Sequence, residues 1–117
     1  MKFYVNFNMD TSISSQFSYS ARVELIKKTT KYLENLKQNH RVLDWGFVNA
    51  NHALYTIFTV KTFEELYEVV ELVPFRHLCN INIQPVLEAG ELNAATGRVF
   101  ERAAQDYNVL QGSQIQA

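Results

Sequence analysis

The sequence predicts an α+β fold with the element order strand, helix, strand, strand, helix, strand (βαββαβ), followed by a helical extension. Polar and apolar residues alternate from Lys2 to Met9 and again from Asn80 to Val86, which is typical of strands that bury one face. A turn at Asn49–His52 separates two runs rich in aromatic and β-branched residues, as in a β-hairpin. A capped amphipathic helix follows the hairpin. This order is the ferredoxin-like split βαβ unit, whose helices cover one face of the sheet.

The first strand and the first helix are joined by a polar loop. One face of the strand carries Phe3, Val5, Phe7 and Met9, and the other carries Tyr4, Asn6 and Asn8. The Ser- and Thr-rich stretch Asp10–Ser18 is typical of a loop, and Ser18 or Ser20 is placed to cap a helix from about Ala21 to Asn39. The apolar face of that helix is predicted to comprise Val23, Ile26, Thr30 and Leu33, followed by Leu36 or Lys37.

The central hairpin is predicted to pair a strand at Arg41–Asn49 with a strand at Ala53–Val60. Alternation puts Leu43, Trp45 and Phe47 on one side of the first of these strands, and Val42, Asp44, Gly46 and Val48 on the other. Large apolar residues therefore occur on both faces of this half of the sheet.

The second helix is the most strongly signalled element of the chain. Thr62 and Glu65 have the spacing of a capping box, and Pro74 prevents the helix from continuing. Its apolar stripe is predicted to be formed by Phe63, Leu66, Val69, Val70 and Val73.

The C-terminal part of the chain is predicted to be an extension of a domain formed by residues 1–88. Ala89-Gly90 is typical of a break, and a helix is expected from about Asn93 to Tyr107 within the extension 89–117. A free extension would expose Leu92, Val99, Phe100, Tyr107 and Leu110. We therefore expect it to pack on a neighbouring subunit.

Composition indicates one soluble domain with a sizeable core. Hydrophobic residues make up 47% of the 117 residues and aromatic residues 13%, which excludes general disorder. Eleven basic and twelve acidic residues give a net charge of -1, so nucleic acid and membrane are not expected partners. A single cysteine, Cys79, and the lack of a signal-peptide pattern after Met1 favour the cytoplasm.

The sheet face away from the helices is predicted to be only partly polar. Tyr4 shares it with five amide side chains, Asn6, Asn8, Asn80, Asn82 and Gln84. The apolar residues of the central hairpin make the other half too apolar to remain in water, so a homodimer or a higher homo-oligomer is expected. The amides either face solvent or line a cavity in which they orient a small polar ligand.

Few residues of the sequence are candidates for metal binding, proton transfer or ligand binding. The three histidines, His40, His52 and His77, have no metal-binding spacing, so no metal and no cofactor is expected. His52 is either a surface turn residue or faces a ligand, and Arg76 beside His77 is either solvent-exposed or holds a carboxylate. Asp44 is either a buried base with a raised pKa or a charge that protects an edge strand.

Several of these residues resemble muconolactone delta-isomerase, a family of the dimeric α+β barrel superfamily. The resemblance runs from about Lys37 to Val86 and rests on five short segments, Asn51-His52-Ala53-Leu54-Tyr55, Phe58-Thr59-Val60, Glu64 with Leu66, Val73-Pro74, and Ile81 with Ile83. It implies a ferredoxin-like subunit that pairs sheet to sheet into a dimeric barrel, with small-molecule sites near that interface. It also implies a carboxylate where Asn39 and His40 stand here, which is a departure from the family pattern.

Two classes of function follow. The first is an isomerase, lyase or cofactor-free oxygenase that acts on a small polar cyclic or aromatic compound. In it, Asp44, His52 or His77 moves a proton, and the ligand is bound by Tyr4, Asn6, Asn8, Tyr55, Arg76 and Asn82. The second is a non-catalytic protein of the same fold that binds a small ligand or serves assembly.

Overall fold

Four strands form one antiparallel sheet in the order β2-β3-β1-β4 within residues 1–116, the part of the chain that the computed structural model describes, with side chains described for residues 1–112. The strands are β1 (Lys2–Met9), β2 (Val42–Val48), β3 (Ala53–Thr59) and β4 (Cys79–Val86). The helices are α1 (Thr11–Ser14), α2 (Tyr19–Gln38), α3 (Phe63–Glu71) and α4 (Ala89–Gln116), and a 3-10 turn at Pro74–Leu78 precedes β4.

Helices α2 and α3 pack on the same face of the sheet. Phe3, Val5 and Phe7 of β1 are buried in one apolar cluster with Leu33 and Leu36 of α2 and with Leu66, Val69 and Val70 of α3. The Tyr32 hydroxyl of α2 also donates a hydrogen bond to the Val69 carbonyl of α3, at 2.9 Å. This arrangement confirms the predicted ferredoxin-like fold.

One prediction about β2 is wrong, because alternation does not run through the whole strand. Val42 pairs with Phe58 and Asp44 pairs with Ile57, so the register shifts by one residue at Leu43. A bulge of this kind moves the preceding residue to the opposite face. Val42 therefore lies in the core beside Trp45 and Phe47, while Leu43 is 47% exposed.

The buried face of α2 is also offset from the prediction. Thr29, and not Thr30, faces the core, and its hydroxyl accepts a hydrogen bond from the Phe75 amide at 2.8 Å. Thr30 is exposed and donates to the Ile26 carbonyl one turn earlier. A polar side chain was needed at the buried position because the backbone amide of the 3-10 turn has to be satisfied there.

Helix α3 begins as predicted, since the Thr62 hydroxyl accepts from the Glu65 amide at 3.1 Å. The Glu65 carboxylate accepts from the Lys61 amide and forms an ion pair with Arg41 at 3.4 Å. Phe63, predicted to belong to the apolar stripe, is 68% exposed, with its ring against Phe3 at a centroid distance of 5.9 Å. The buried stripe of α3 therefore begins at Leu66 and not at Phe63.

Two segments are more helical than the sequence indicated. The predicted loop after β1 contains α1, which Asp10 caps by accepting from the Ser12 amide. In the C-terminal segment the helix is longer than the predicted Asn93–Tyr107, because α4 begins at Ala89 and continues past Tyr107. The chain divides into two compact units, residues 1–86 and the segment from Leu87 onward. None of the described helices is long and apolar enough to cross a membrane.

Candidate functional site

The sheet face away from the helices carries the predicted row of amides. Register places Tyr4, Asn6 and Asn8 of β1 directly opposite Gln84, Asn82 and Asn80 of β4. At one end of this row, the Asn80 amide donates to the Asp10 carboxylate at 3.2 Å. Hydrogen bonds from the Ser12 side chain and backbone, followed by the one from Asn80, hold the pKa of Asp10 below its usual value.

Next to the amides, three side chains from three strands make a connected group. The Tyr55 hydroxyl of β3 donates to the Asp44 carboxylate of β2 at 3.1 Å. The Tyr4 ring of β1 stacks on the Tyr55 ring, with centroids 6.4 Å apart and planes 11° from parallel. The hydrogen bond to Asp44, and secondarily desolvation, raise the pKa of Tyr55. We call Asp44, Tyr55 and Tyr4 the tyrosine row.

Gly46 makes the position of the Tyr55 ring possible. The two residues are paired across β2 and β3. A Cβ atom on Gly46 would lie 2.9 Å from Cε1 of Tyr55, which is closer than real contacts of this kind. The ring thus lies flat over a backbone position that has no side chain.

A separate cleft lies at the end of the central hairpin. It has a volume of about 170 Å³ and is formed by the end of β1, the first two turns of α2 and the hairpin turn. Its walls are Met9, Tyr19, Arg22, Val23, Ile26, Ala50, Asn51 and His52. A cavity of ~150 Å³ is enough to hold benzene, so this cleft can take one six-membered ring.

The backbone of His52 is held on two sides at this cleft. Its amide donates to the Asn49 carbonyl at 3.0 Å, and its carbonyl accepts from the Met9 amide at 2.9 Å. The turn between Asn49 and His52 is left-handed throughout, with φ of 55°, 53° and 66° at Asn49, Ala50 and Asn51. Asparagine tolerates this region, but alanine has a steric cost of ~1–2 kcal/mol there. The turn therefore keeps a strained residue in the wall of the cleft.

Arg22 gives the cleft its one guanidinium. Its Nε is buried and has no hydrogen-bond partner among the described residues. A buried donor without a partner is costly, so this part of the Arg22 side chain is under-satisfied. Because Arg22 lines the cleft, its guanidinium is placed to hold a carbonyl, hydroxyl or carboxylate oxygen there.

The other predicted site residues lie elsewhere. Arg76 forms an ion pair with Glu71 at 2.6 Å, so its outer nitrogen is already engaged. His77 is exposed on the 3-10 turn. Asp44, His52 and His77 thus lie on three different elements, and only His52 lines the cleft. Among the described residues no group of histidine, cysteine or carboxylate side chains is arranged to hold a metal ion.

Cys79 is half-buried against the core, and burial raises the pKa of its thiol to about 12. The thiol is therefore protonated at neutral pH and is a poor nucleophile.

Comparison with solved structures finds the same arrangement of elements in two enzymes. A muconolactone isomerase superposes with a TM-score of 0.63 at 15% identity, covering 75% of this chain and 90% of the isomerase chain. This chain has the muconolactone isomerase fold. The 5-chloro-2-hydroxyhydroquinone dehydrochlorinase from Burkholderia phenoliruptrix AC1100, solved in complex with 2,5-dihydroxybenzoquinone, superposes with a TM-score of 0.56 at 17% identity, covering 75% and 96% of the two chains. No protein-family model and no curated protein sequence matches this one.

The sequence did not point to Arg22, Met9 or Tyr19 as site residues. Arg22 occupies the first turn of α2, where a basic residue is unfavourable beside the positive end of the helix dipole. This unfavourable position is the feature of the sequence that could have indicated a functional role for Arg22. Arg22 lies near His52 because of the way α2 packs beside the hairpin, and the periodicity of the sequence does not specify that packing.

Proposed function

We propose that this protein is an enzyme that moves a proton on a small cyclic or aromatic compound, and that the cleft beside His52 is its binding site. The observation that carries the proposal is that one ring-sized cleft is lined by both a histidine, His52, and an arginine, Arg22, whose Nε has no hydrogen-bond partner among the described residues. Two solved enzymes of the same fold support the class of reaction, since one is an isomerase and the other was solved with a quinone ring compound.

In this proposal five of the residues that line the cleft have a defined role. Met9, Val23 and Ile26 pack against the apolar ring, and Arg22 holds an electronegative oxygen on it. The His52 imidazole takes a proton from a ring carbon and returns it to another position. The product is then an isomer of the substrate, and no oxidant, reductant or second substrate is consumed.

The tyrosine row and its neighbouring amides are proposed as a second place where a ligand could be oriented. There Asp44 would accept the proton, and Tyr4, Asn6, Asn8, Tyr55 and Asn82 would bind the ligand. Arg76 is paired with Glu71, and His77 is exposed on the 3-10 turn. In this proposal they would therefore contact a ligand only from a neighbouring copy or after a rearrangement.

We further propose that two copies pair through the sheet faces and that the protein works in the cytoplasm. Val48 is 46% exposed and shares a register row with Ala53 and Asn8 on the face away from the helices. A second copy packed on this half of the sheet face would remove its apolar side chains from water.

The alternative is a non-catalytic protein that binds a small ligand in the same cleft. It is favoured by Asn39 and His40, which stand where the resemblance implies a carboxylate. Binding without turnover would distinguish this alternative from the enzyme.

The experiment uses muconolactone as a candidate substrate and 2,5-dihydroxybenzoquinone as a binding probe. We expect His52→Gln to lower kcat by ~10²–10⁴-fold with little change in affinity for the probe. We expect Arg22→Gln to weaken binding of the probe by ~10–100-fold, the usual effect of losing a charged hydrogen bond.

Asp44→Asn is the matched control, since it removes a candidate base outside the cleft. Full activity of His52→Gln together with a loss in Asp44→Asn would move the site to the tyrosine row. Binding of the probe without turnover of either compound would favour the non-catalytic alternative.

A further inference from the structure

A second pocket lies at the opposite end of the sheet from His52. It has a volume of about 690 Å³ and lies between the α2–β2 connection, the end of β3 and the first turn of α3. Because β1 runs for eight residues between the two ends of the sheet, about 25 Å separates this pocket from the cleft. We call it the Arg41 pocket, and its walls include Asn39, His40, Arg41, Thr59, Lys61 and Glu65.

The Arg41 pocket has an excess of positive charge. Arg41 and Lys61 line it together with Glu65, the only carboxylate among the described residues of its walls. Both oxygens of Glu65 are engaged, since Oε1 lies 3.4 Å from Nε of Arg41 and Oε2 accepts from the Lys61 amide at 3.0 Å. The side chains of His40 and Asn39 add further N–H groups to the same walls.

The backbone around these side chains is fixed by hydrogen bonds. The Arg41 amide donates to the Leu36 carbonyl at 2.9 Å, and the Arg41 carbonyl accepts from the Thr59 amide at 2.7 Å. His40 is left-handed, with φ of 60°, and its amide donates to the Lys37 carbonyl at 3.1 Å. Glycine is the usual residue at such a position after a helix, whereas this chain places an imidazole in the wall of a pocket there.

We propose that the Arg41 pocket binds a small molecule through an oxyanion, a carboxylate or a phosphate group, held by Arg41 and Lys61. The ion pair with Glu65 runs through Nε of Arg41, and the Arg41 side chain is still 49% exposed. Its guanidinium is therefore able to receive a second oxyanion, to which His40 and Asn39 donate from the same walls.

The size of the pocket and the charge of the chain limit the kind of anion. Sites for small molecules have volumes of ~300–1,000 Å³, and the Arg41 pocket falls within that range. An extended polyanion such as a nucleic acid would gain little from a chain with a net charge of -1. The geometry therefore favours a compact anion.

Titration with simple anions tests the site. Inorganic phosphate and succinate are added separately to the full chain at constant ionic strength, with sodium chloride as the balancing salt, while backbone amide chemical shifts are recorded. We expect saturable changes that are largest at His40, Arg41 and Lys61, and the tighter of the two anions identifies a phosphate or a carboxylate ligand. No saturation with either anion, or largest changes elsewhere, would overturn the proposal.

Neutral variants separate the site from the overall charge of the chain. Lys61→Gln should weaken binding of the tighter anion by about tenfold, since it removes one charged hydrogen bond. Lys27→Gln is the matched control, because it makes the same change of charge at an exposed position about three turns before the end of α2. Equal effects of the two substitutions would contradict a localised site.

Glu65 provides a test in the opposite direction. Glu65→Gln keeps an oxygen for the Lys61 amide but releases Arg41, and it should tighten binding of the anion by about two- to fivefold. The double variant Arg41→Gln with Glu65→Gln has the same net charge as the unsubstituted chain but lacks the guanidinium. It should bind about tenfold more weakly than Glu65→Gln alone.

Circular dichroism should show the same helix content in all of these chains. Failure of Glu65→Gln to tighten binding would overturn the proposal, as would a double variant that binds like Glu65→Gln.

Discussion

Gly46 and Tyr55 show how a single missing side chain determines the chemistry of its neighbour. The Tyr55 ring occupies the space over Gly46, and from there its hydroxyl reaches Asp44 and its face stacks on Tyr4. Glycine in a strand often marks such a close approach. The sequence shows the glycine but not the ring that needs it.

We predict that Gly46→Ala displaces the Tyr55 ring and breaks its hydrogen bond to Asp44. The added methyl group would lie 2.9 Å from the ring, so the ring has to turn away. Because the ring lies on the open face of the sheet and can turn towards solvent, the loss of unfolding free energy should be about that of one hydrogen bond, ~0.5–1.5 kcal/mol, which urea denaturation would measure. Gly90→Ala, where nothing lies within 4 Å, is the control and should be neutral or stabilising.

The Asp44–Tyr55 hydrogen bond makes a prediction about pH. The pKa of Tyr55 is raised in the folded state. The contribution of the hydrogen bond to stability is therefore complete below pH ~10, the ordinary pKa of tyrosine, and is lost as pH rises through the pKa of Tyr55 in the folded protein. Asp44→Asn removes the negative charge and should lower the Tyr55 pKa towards its ordinary value. Ultraviolet titration of each chain, with the matching Tyr55→Phe variant subtracted, measures this. An unchanged titration in Asp44→Asn would show that the contact does not form.

At the scale of the elements, the alternating strands and the capped helix α3 could be predicted, because their signals are local. The bulge at Leu43 could not, since it arises from how β2 pairs with β3 and leaves no mark in the alternation. The shift from Thr30 to Thr29 has the same origin. Both threonines are compatible with the α2 pattern, and only the nearby amide of Phe75 distinguishes them.

This difference between two adjacent threonines can be measured. Thr29→Val leaves the buried Phe75 amide without an acceptor and should lower the free energy of unfolding by ~1–3 kcal/mol. Thr30→Val changes the same atoms on the exposed side of α2 and should cost less than ~0.5 kcal/mol. Equal losses in thermal or denaturant unfolding would contradict the assignment of Thr29 to the core.

On the scale of the whole molecule, the sequence predicted which side of β1 and β4 carries the amides but not the position of the cleft. Arg22 and His52 are thirty positions apart and meet only because α2 begins beside the hairpin turn. The cleft and the tyrosine row belong to different parts of the same domain. A ligand in the cleft and a second copy on the sheet face could therefore be present together.

Assembly through the sheet face predicts a mass of at least two 13.5 kDa chains at micromolar concentration. Val48→Lys places a charge on that face and should lower the mass measured by light scattering. Leu72→Lys is the matched control, because Leu72 is 66% exposed just after α3, on the helical side of the domain. A monomeric unsubstituted chain, or equal effects of the two lysines, would contradict this interface.

The most direct test of the cleft as the binding site is a map of backbone amide chemical shifts during titration with muconolactone. We expect the largest changes at Met9, Arg22, Val23 and His52, and we expect them to disappear in Arg22→Gln at the same concentration. Largest changes at Tyr4, Asn6, Tyr55 and Asn82, or a titration that Arg22→Gln leaves unaltered, would contradict it.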